Sequence, residues 1–290
     1  MKLTHETEIL IVGLGVIGGG YARALTDKGY RVTCITKEQK DIDYALEQGM
    51  IAEGFTQVDA ATVGRADLVI LALYPTVMLN WLESYQGYFK SGAVVTDVTG
   101  VKGDIVHRVQ EMLRQDVEFI AAHPMAGRER SGVEYSDAQV FQGANYIVTP
   151  TEKNTPDAIQ LCKMLGRELG FARISELTPQ KHDEMIAFLS QLTHCIAVVL
   201  MNCNTTPNME AYTGDSFRDL TRIAKINDEM WSELFLWNRD ELLRQMDAFS
   251  RTFEEMRNFL AEGDREGMRE MMRYSSFRRT LFDKPKTESK

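Results

Sequence analysis

The sequence predicts an α/β fold in which a doubly wound, mostly parallel sheet is followed by an all-helical C-terminal domain. Three observations carry that expectation. The run Glu8-Ile-Leu-Ile-Val-Gly-Leu-Gly-Val-Ile-Gly-Gly passes from a buried-strand pattern into glycines at Gly13, Gly15 and Gly18. Short apolar runs then alternate with helix-like segments as far as Pro150, the pattern of successive βα units. After Leu177 the strand pattern stops.

Taken in order, strands are expected at 8–12, 31–36, 66–73, 93–97, 118–122 and 145–149. At the end of the first, Gly13 can make a tight bend, Gly15 keeps a side chain clear of a pyrophosphate, and Gly18 lets the next helix lie close to the sheet. Gly13, Leu14, Gly15, Val16, Ile17 and Gly18 are therefore the candidate dinucleotide-binding residues of a Rossmann-type turn, whose phosphates meet a helix N-terminus. An ordinary glycine-rich strand-to-helix turn is the alternative. An NAD site of this type ends its second strand on Asp or Glu, which holds the ribose and repels a 2′-phosphate. Here that position, eighteen residues past Gly18, is Thr36, followed by Lys37 and, close behind, Lys40. The cofactor is thus NAD or NADP, with NADP expected to be accepted at least as well. If both lysines are plain surface charges, NAD binds without the usual carboxylate.

One more helix, 156–169, and a short strand, 171–175, precede the change of pattern. Thr178-Pro179 is a good helix start, a capping hydroxyl with proline at the first helical position. Long periodic runs at 228–262 and 265–282 read as helices, and 284–290 as a frayed end. The domains are accordingly 1–177, dinucleotide-binding, and 178–290, helical. Residues 185–202 are apolar on more than one face, for which dimerisation is the natural remedy; a monomer whose helices pack only on the first domain is the alternative.

The 290 residues include 33 basic and 42 acidic ones, a net charge of −9. That balance argues against a general nucleic-acid or anionic-membrane surface and leaves local capture of a small anion. Cys34, Cys162, Cys195 and Cys203 are scattered without metal-ligand spacing, and the N-terminus does not resemble a signal peptide. Reduced thiols in a cytoplasm, with no metal, are expected. Residues 185–203 approach the length of a membrane span, but Ser190, Gln191, Thr193 and His194 interrupt them, so a buried core helix is expected.

Reactive groups should follow strand ends on the cleft side. His123 is expected to leave a strand directly into a proline-stiffened turn, where it can accept a proton near neutral pH, as oxidation of an alcohol by hydride transfer requires. A loop histidine satisfied by backbone is the other reading. Asp183, Ala187, Ser190 and His194, spaced 4, 3 and 4 apart, share one helical face.

The glycine loop, Asp97-x-x-x-Val101-Lys102, His123-Pro124-Met125-Ala126-Gly127 with Ser131-Gly132-Val133-Glu134-Tyr135, and Phe217-Arg218-Asp219-Leu220-Thr221-Arg222-Ile223-Ala224 before Met230-Trp231 together resemble the prephenate/arogenate dehydrogenase family of tyrosine biosynthesis. The resemblance runs in one order along nearly the whole chain. It implies a dinucleotide-binding domain, a helical dimerisation domain and a small-molecule substrate, prephenate or arogenate. No appended chorismate mutase or regulatory domain is expected within this length. It implies that His123 takes the proton of the substrate's ring hydroxyl while hydride leaves the same carbon, and that loss of carbon dioxide makes the ring aromatic. Arg222 would bind a substrate carboxylate, unless it pairs with Asp219 along its helix. His194 and Ser190 match the last histidine and the serine of the family's Ser-His-Leu-Pro-His motif, at the substrate site; His194 and Trp231 are otherwise core residues. The chain departs from the family at Thr99-Gly100, where a Gly-Ser pair is usual, at Gln191 and Thr193, in place of histidine and proline, and at Asp215-Ser216, in place of a glycine pair. Thr99 is expected to replace the missing serine at the substrate hydroxyl. The reading is an NAD(P)-dependent prephenate dehydrogenase; arogenate dehydrogenase, or a binding module that has lost turnover, are the alternatives.

Overall fold

The computed structural model describes residues 2–127, 130 and 132–283; Ser131 and the expected frayed end at 284–290 lie outside them. Six strands, β1 (Ile9–Val12), β2 (Val32–Ile35), β3 (Glu53–Phe55), β4 (Leu68–Leu71), β5 (Val94–Asp97) and β6 (Glu118–Phe119), form one sheet in the order β3-β2-β1-β4-β5-β6. Every pairing in it is parallel. β1, β2, β4 and β5 are buried throughout, which is why they carry continuous apolar and β-branched runs rather than alternation. Between and after the strands run α1 (Val16–Thr26), α2 (Gln39–Glu47), α3 (Ala60–Gly64), α4 (Pro75–Tyr85), α5 (Gly103–Met112) and α6 (Pro156–Glu168). One core layer joins Leu25, Ile42 and Leu165 of α1, α2 and α6 to Ile9, Ile11 and Ile70. The other joins Val63, Leu82 and Val106 of α3, α4 and α5 to Leu10, Val69 and Val95. Helices on both faces, with the strand order turning back at β1 and β4, put the ligand crevice at the carboxyl ends of those strands.

The strands depart from the sequence expectation in number and in sheet membership. β3 has three half-buried residues at a sheet edge, too few for an apolar run to announce it. The strand expected at 118–122 is two strands: after β6 the chain crosses at Ile120 into β7 (Ala121–Met125), which belongs to a second sheet, β7-β8-β9, with β8 (Asn145–Thr149) and β9 (Arg173–Glu176). β7 and β8 are antiparallel, β8 and β9 parallel. His123 therefore lies inside a strand, opposite Ile147, rather than leaving one. Pro124, which has no N–H to give, is accommodated because β7 is an edge strand.

Thr178 caps the next helix as expected, accepting from the Lys181 N–H at 3.2 Å, with Pro179 at its first position. α7 (Pro179–Ile186), a wide turn of π type at Ala187–Leu192 and α8 (Thr193–Asn202) make one continuous run. This run was expected to be a buried core helix, and it is buried on one side only. Ile186, Ala187, Gln191, Leu192 and Ala197 face inward, whereas Phe188, Leu189, Val199 and Met201 are exposed. Among the described residues it is also the one helix long and apolar enough to cross a membrane, with 28% of its most apolar window buried. α9 (Asp215–Thr221) and α10 (Asp228–Trp237) follow. The helix expected over 228–262 breaks at Asn238, whose buried amide donates to the Asp183 carbonyl at 3.0 Å and to Gln191 Oε1 at 2.8 Å.

The chain forms two compact units, Met1–Arg239 and Asp240–Lys290, and the expected boundary at residue 177 falls inside the first. The second is built from α11 (Arg239–Glu262) and α12 (Arg265–Thr280). They are joined at Gly263, in a left-handed conformation with φ +71°, and Asp264 caps α12 by accepting from the Gly267 N–H at 2.9 Å. A Cβ at Gly267 would come within 2.7 Å of the Phe259 ring.

Candidate active site

The glycine turn gives each of its three glycines a different reason to be glycine. Gly13, at φ +96°, has no room for a side chain, since a Cβ would lie 2.4 Å from the Ala72 carbonyl oxygen. At Gly18 a Cβ would lie 2.1 Å from the Gly13 oxygen, so helix and strand touch there. At Gly15 a Cβ would meet nothing within 4 Å. Packing therefore does not require glycine at that position, and the open space is what a pyrophosphate would need. α1 starts at Gly15 with no side-chain cap and no acidic residue in its first turn, leaving its N–H groups to an anion. Leu14 is buried in the core and Ile17 packs against it, so these two shape the turn, while Val16 is half-buried. Thr36 follows β2 half-buried, and Lys37 and Lys40 are exposed beyond it.

Across the crevice, β5 delivers Asp97 to a fully buried position. One carboxylate oxygen takes the Lys102 ammonium at 2.5 Å and the Thr99 N–H at 3.0 Å; the other takes the Ala122 N–H at 3.1 Å. The Thr99 hydroxyl lies within the same cluster, 2.5 Å from Asp97 Oδ2, 2.9 Å from the Val101 oxygen and 3.0 Å from Lys102 Nζ. Thr99 thus ties a buried ion pair together and does not reach the cleft, which corrects the expectation that it replaces a substrate-facing serine.

His123 is half-buried on β7, with Nδ1 2.8 Å from Nε2 of the buried His182 on α7. His182 Nδ1 is 2.7 Å from Asp183 Oδ1. Asp183 in turn holds the start of α5, accepting the Lys102 N–H at 2.8 Å and the Gly103 N–H at 2.7 Å. Burial, then the neighbouring His182 and Lys102, hold the His123 imidazole well below its ordinary value, so it is neutral at pH 7. Burial likewise brings His182 down to about 3, and it raises Asp183 to about 6 against the pull of its two backbone donors. His123 can therefore accept a proton without first losing one. The spacing in the sequence puts Asp183 on one helical face with Ala187, Ser190 and His194 and does not single out His182; the adjacent His-Asp pair opening a helix is the available signal.

Further along the run, the His194 ring stacks on Trp231 of α10 with centroids 3.8 Å apart, and its Nδ1 lies 2.8 Å from the Ser190 carbonyl oxygen. Ser190 and His194 are half-buried, whereas Asp183 and Ala187, expected on the same face, are buried. The wide turn between them puts the two halves of the run out of phase. Arg222 is exposed at the head of a short 3-10 turn, Arg222–Ala224, that packs against α8.

Residues 21–175 match the nucleotide-binding domain of prephenate dehydrogenase, and residues 178–274 match its dimerization domain. The chain belongs to the prephenate dehydrogenase family. A cyclohexadienyl dehydrogenase of Zymomonas mobilis is 30% identical over 275 residues, 90% of this chain and 91% of the relative. The prephenate dehydrogenase of Bacillus subtilis is 28% identical over 267 residues, 90% of this chain and 72% of that one. Among solved structures, the prephenate dehydrogenase of A. aeolicus in complex with hydroxyphenyl propionate and NAD+ superposes with a TM-score of 0.89 at 28% identity, covering 98% of this chain and all of that one. The protein is an oxidoreductase of this prephenate/arogenate/cyclohexadienyl dehydrogenase family and uses a nicotinamide cofactor.

Within the family frame, the departures seen in the sequence fall in different places. Gly100, where the family's serine is expected, lies beside His123: a Cβ there would lie 3.8 Å from His123 Nε2 and 3.6 Å from the Leu234 side chain. Gln191 is buried and donates to the Leu234 carbonyl at 2.9 Å, a packing role between helices. Thr193 donates back to the Ser190 carbonyl at 2.6 Å, and Asp215 pairs with Arg218 at the exposed start of α9.

Proposed function

We propose that the protein oxidatively decarboxylates prephenate to 4-hydroxyphenylpyruvate, with His123 as the base. The observation that carries this reading is a neutral His123 whose Nε2 lies beside Gly100, in the loop that leaves the carboxyl end of β5. His123 accepts the ring hydroxyl's proton, and the bond to the leaving carboxylate then supplies the electrons that make the ring aromatic. A bound nicotinamide supplies the hydride acceptor. Gly13, Gly15, Gly18 and the uncapped start of α1 would hold its pyrophosphate, with Leu14, Val16 and Ile17 shaping the turn. Arg222 would take a substrate carboxylate, and His194 with Ser190 would border the ring. Residues 1–177 would act as the dinucleotide-binding domain and 178–290 as the helical domain, in a cytoplasmic homodimer with no metal and no nucleic-acid or membrane partner; its four free cysteines fit that compartment.

Thr36 beside Lys37 and Lys40 supports acceptance of NADP at least as readily as NAD. The test is reduced-nicotinamide formation with prephenate and with arogenate, each with NAD and NADP, in the parent, His123→Asn and Lys37→Ala. His123→Asn should lower turnover about 10²–10⁴-fold with cofactor affinity intact. Lys37→Ala should lower efficiency with NADP only. Near-normal turnover in the first variant removes His123 from the mechanism, and a strong NAD preference untouched by the second removes Lys37 from the ribose site.

A further inference from the structure

His123, His182 and Asp183 form a chain in which the position of every proton follows from the last member. Above pH 6 or so Asp183 is a carboxylate, and a carboxylate only accepts. His182 must then carry its proton on Nδ1, facing Asp183 Oδ1 at 2.7 Å. A neutral His182 with Nδ1 protonated has a bare Nε2, and that nitrogen sits 2.8 Å from His123 Nδ1. His123 must therefore donate from Nδ1, which leaves its Nε2, the nitrogen toward Gly100, as a lone pair.

We propose that His182 and Asp183 are positioning residues that lock the proton of His123 onto Nδ1 and so keep Nε2 free to accept the substrate's proton. The proposal rests on the reading of His123 as the base. It has particular force in this chain because neither hydroxyl nor other side chain stands at position 100, and the Thr99 hydroxyl is engaged with Asp97 and Lys102. The charged groups around the chain leave the assignment in place. From β5 and the loop after it, Asp97 and Lys102 neutralise one another. From the α5 start come only N–H donors to Asp183, and Asn238 binds the Asp183 backbone oxygen rather than its carboxylate.

Asp183→Asn tests the assignment. With its amide oxygen on the Gly103 N–H, its NH2 takes the Oδ1 place, gives up the Lys102 N–H and faces His182 Nδ1, moves that ring's proton to Nε2 and drives the His123 proton onto the catalytic nitrogen. The same wrong-tautomer effect in serine proteases costs about 10⁴ in turnover; here a fall of roughly 10²–10⁴-fold in kcat is expected, with cofactor binding and KM little changed. His182→Gln keeps an acceptor toward His123 and a donor toward Asp183, and should stay within about tenfold of the parent, whereas His182→Leu should fall with Asp183→Asn.

A second readout needs no substrate. With five histidines in the chain, 15N-histidine spectra can be assigned using His123→Asn as a blank. They should show His123 protonated on Nδ1 in the parent and on Nε2 in Asp183→Asn. A parent spectrum with the proton on Nε2 overturns the proposal, as does a His182→Gln enzyme no faster than His182→Leu. Should Asp183→Asn fail to fold, the parent spectrum and the two His182 variants still decide. Failure of the base reading is distinct from these outcomes, because it appears as turnover in His123→Asn whatever the spectra show.

Discussion

Lys102 has no exposed surface, and only a full set of partners makes that tolerable. Asp97 and Thr99 satisfy it, and burial still lowers its pKa against the pull of the Asp97 carboxylate. The fixed cation helps keep the neighbouring histidines neutral, which has a consequence for acid stability. A histidine depressed in the folded state contributes stability that is complete above its ordinary value near 6.5 and is lost as pH falls. His182, brought down to about 3, and His123 both act in this sense. Asp183, raised to about 6, acts in the opposite one, losing stability as pH rises through that value. Two histidines against one carboxyl leave a net rise of about 1.4 kcal/mol per pH unit between roughly pH 5 and 6. Urea unfolding at several pH values should show it, and His182→Gln should flatten it. A parent profile that already declines across this window would contradict neutral buried histidines.

At the scale of the element, the β1–α1 turn separates two kinds of glycine. Gly15→Ala should leave the melting temperature nearly unchanged, because a Cβ meets nothing within 4 Å, yet weaken nicotinamide binding measured by calorimetry. Gly18→Ala should instead unfold or strongly destabilise the protein, with the new methyl 2.1 Å from a backbone oxygen. Equal melting temperatures would refute the packing argument. This turn was legible in the sequence because its requirements lie within six residues of one another. Thr178-Pro179 was legible for the same reason. The crossing at Ile120 was not: what divides β6 from β7 is the Val95 carbonyl holding the Ile120 N–H and the Asp97 carboxylate holding the Ala122 N–H, contacts some 25 residues distant. The relay was hidden likewise, since His123 and His182 are 59 residues apart and meet only because α7 docks at the start of α5.

For the whole molecule, the apolar surface left over is the informative quantity. Val199 and Met201 of α8 are 59% and 49% exposed, and in the second unit Phe253, Leu260, Phe277 and Leu281 each exceed 60%. Exposed apolar faces of this kind mark association surfaces. The match of residues 178–274 to a dimerization domain names the form it takes in the family. Light scattering should give a mass near twice 32.9 kDa, and Phe253→Glu with Val199→Glu should lower it. A monomer at micromolar concentration would refute the assembly.

The wide turn at Ala187–Leu192 can be thought of as a gear with one additional tooth. An unbroken α-helix is a rigid screw, so any rotation that aims one residue turns all the others by the same angle, and one inserted residue shifts everything beyond it by about 100°. The additional residue sets the phase of α8 independently of α7. His182 and Asp183 can thus answer to His123 while His194 answers to Trp231, along one continuous run of chain. A lineage altering what the far end grips would be free to do so without detuning the near end.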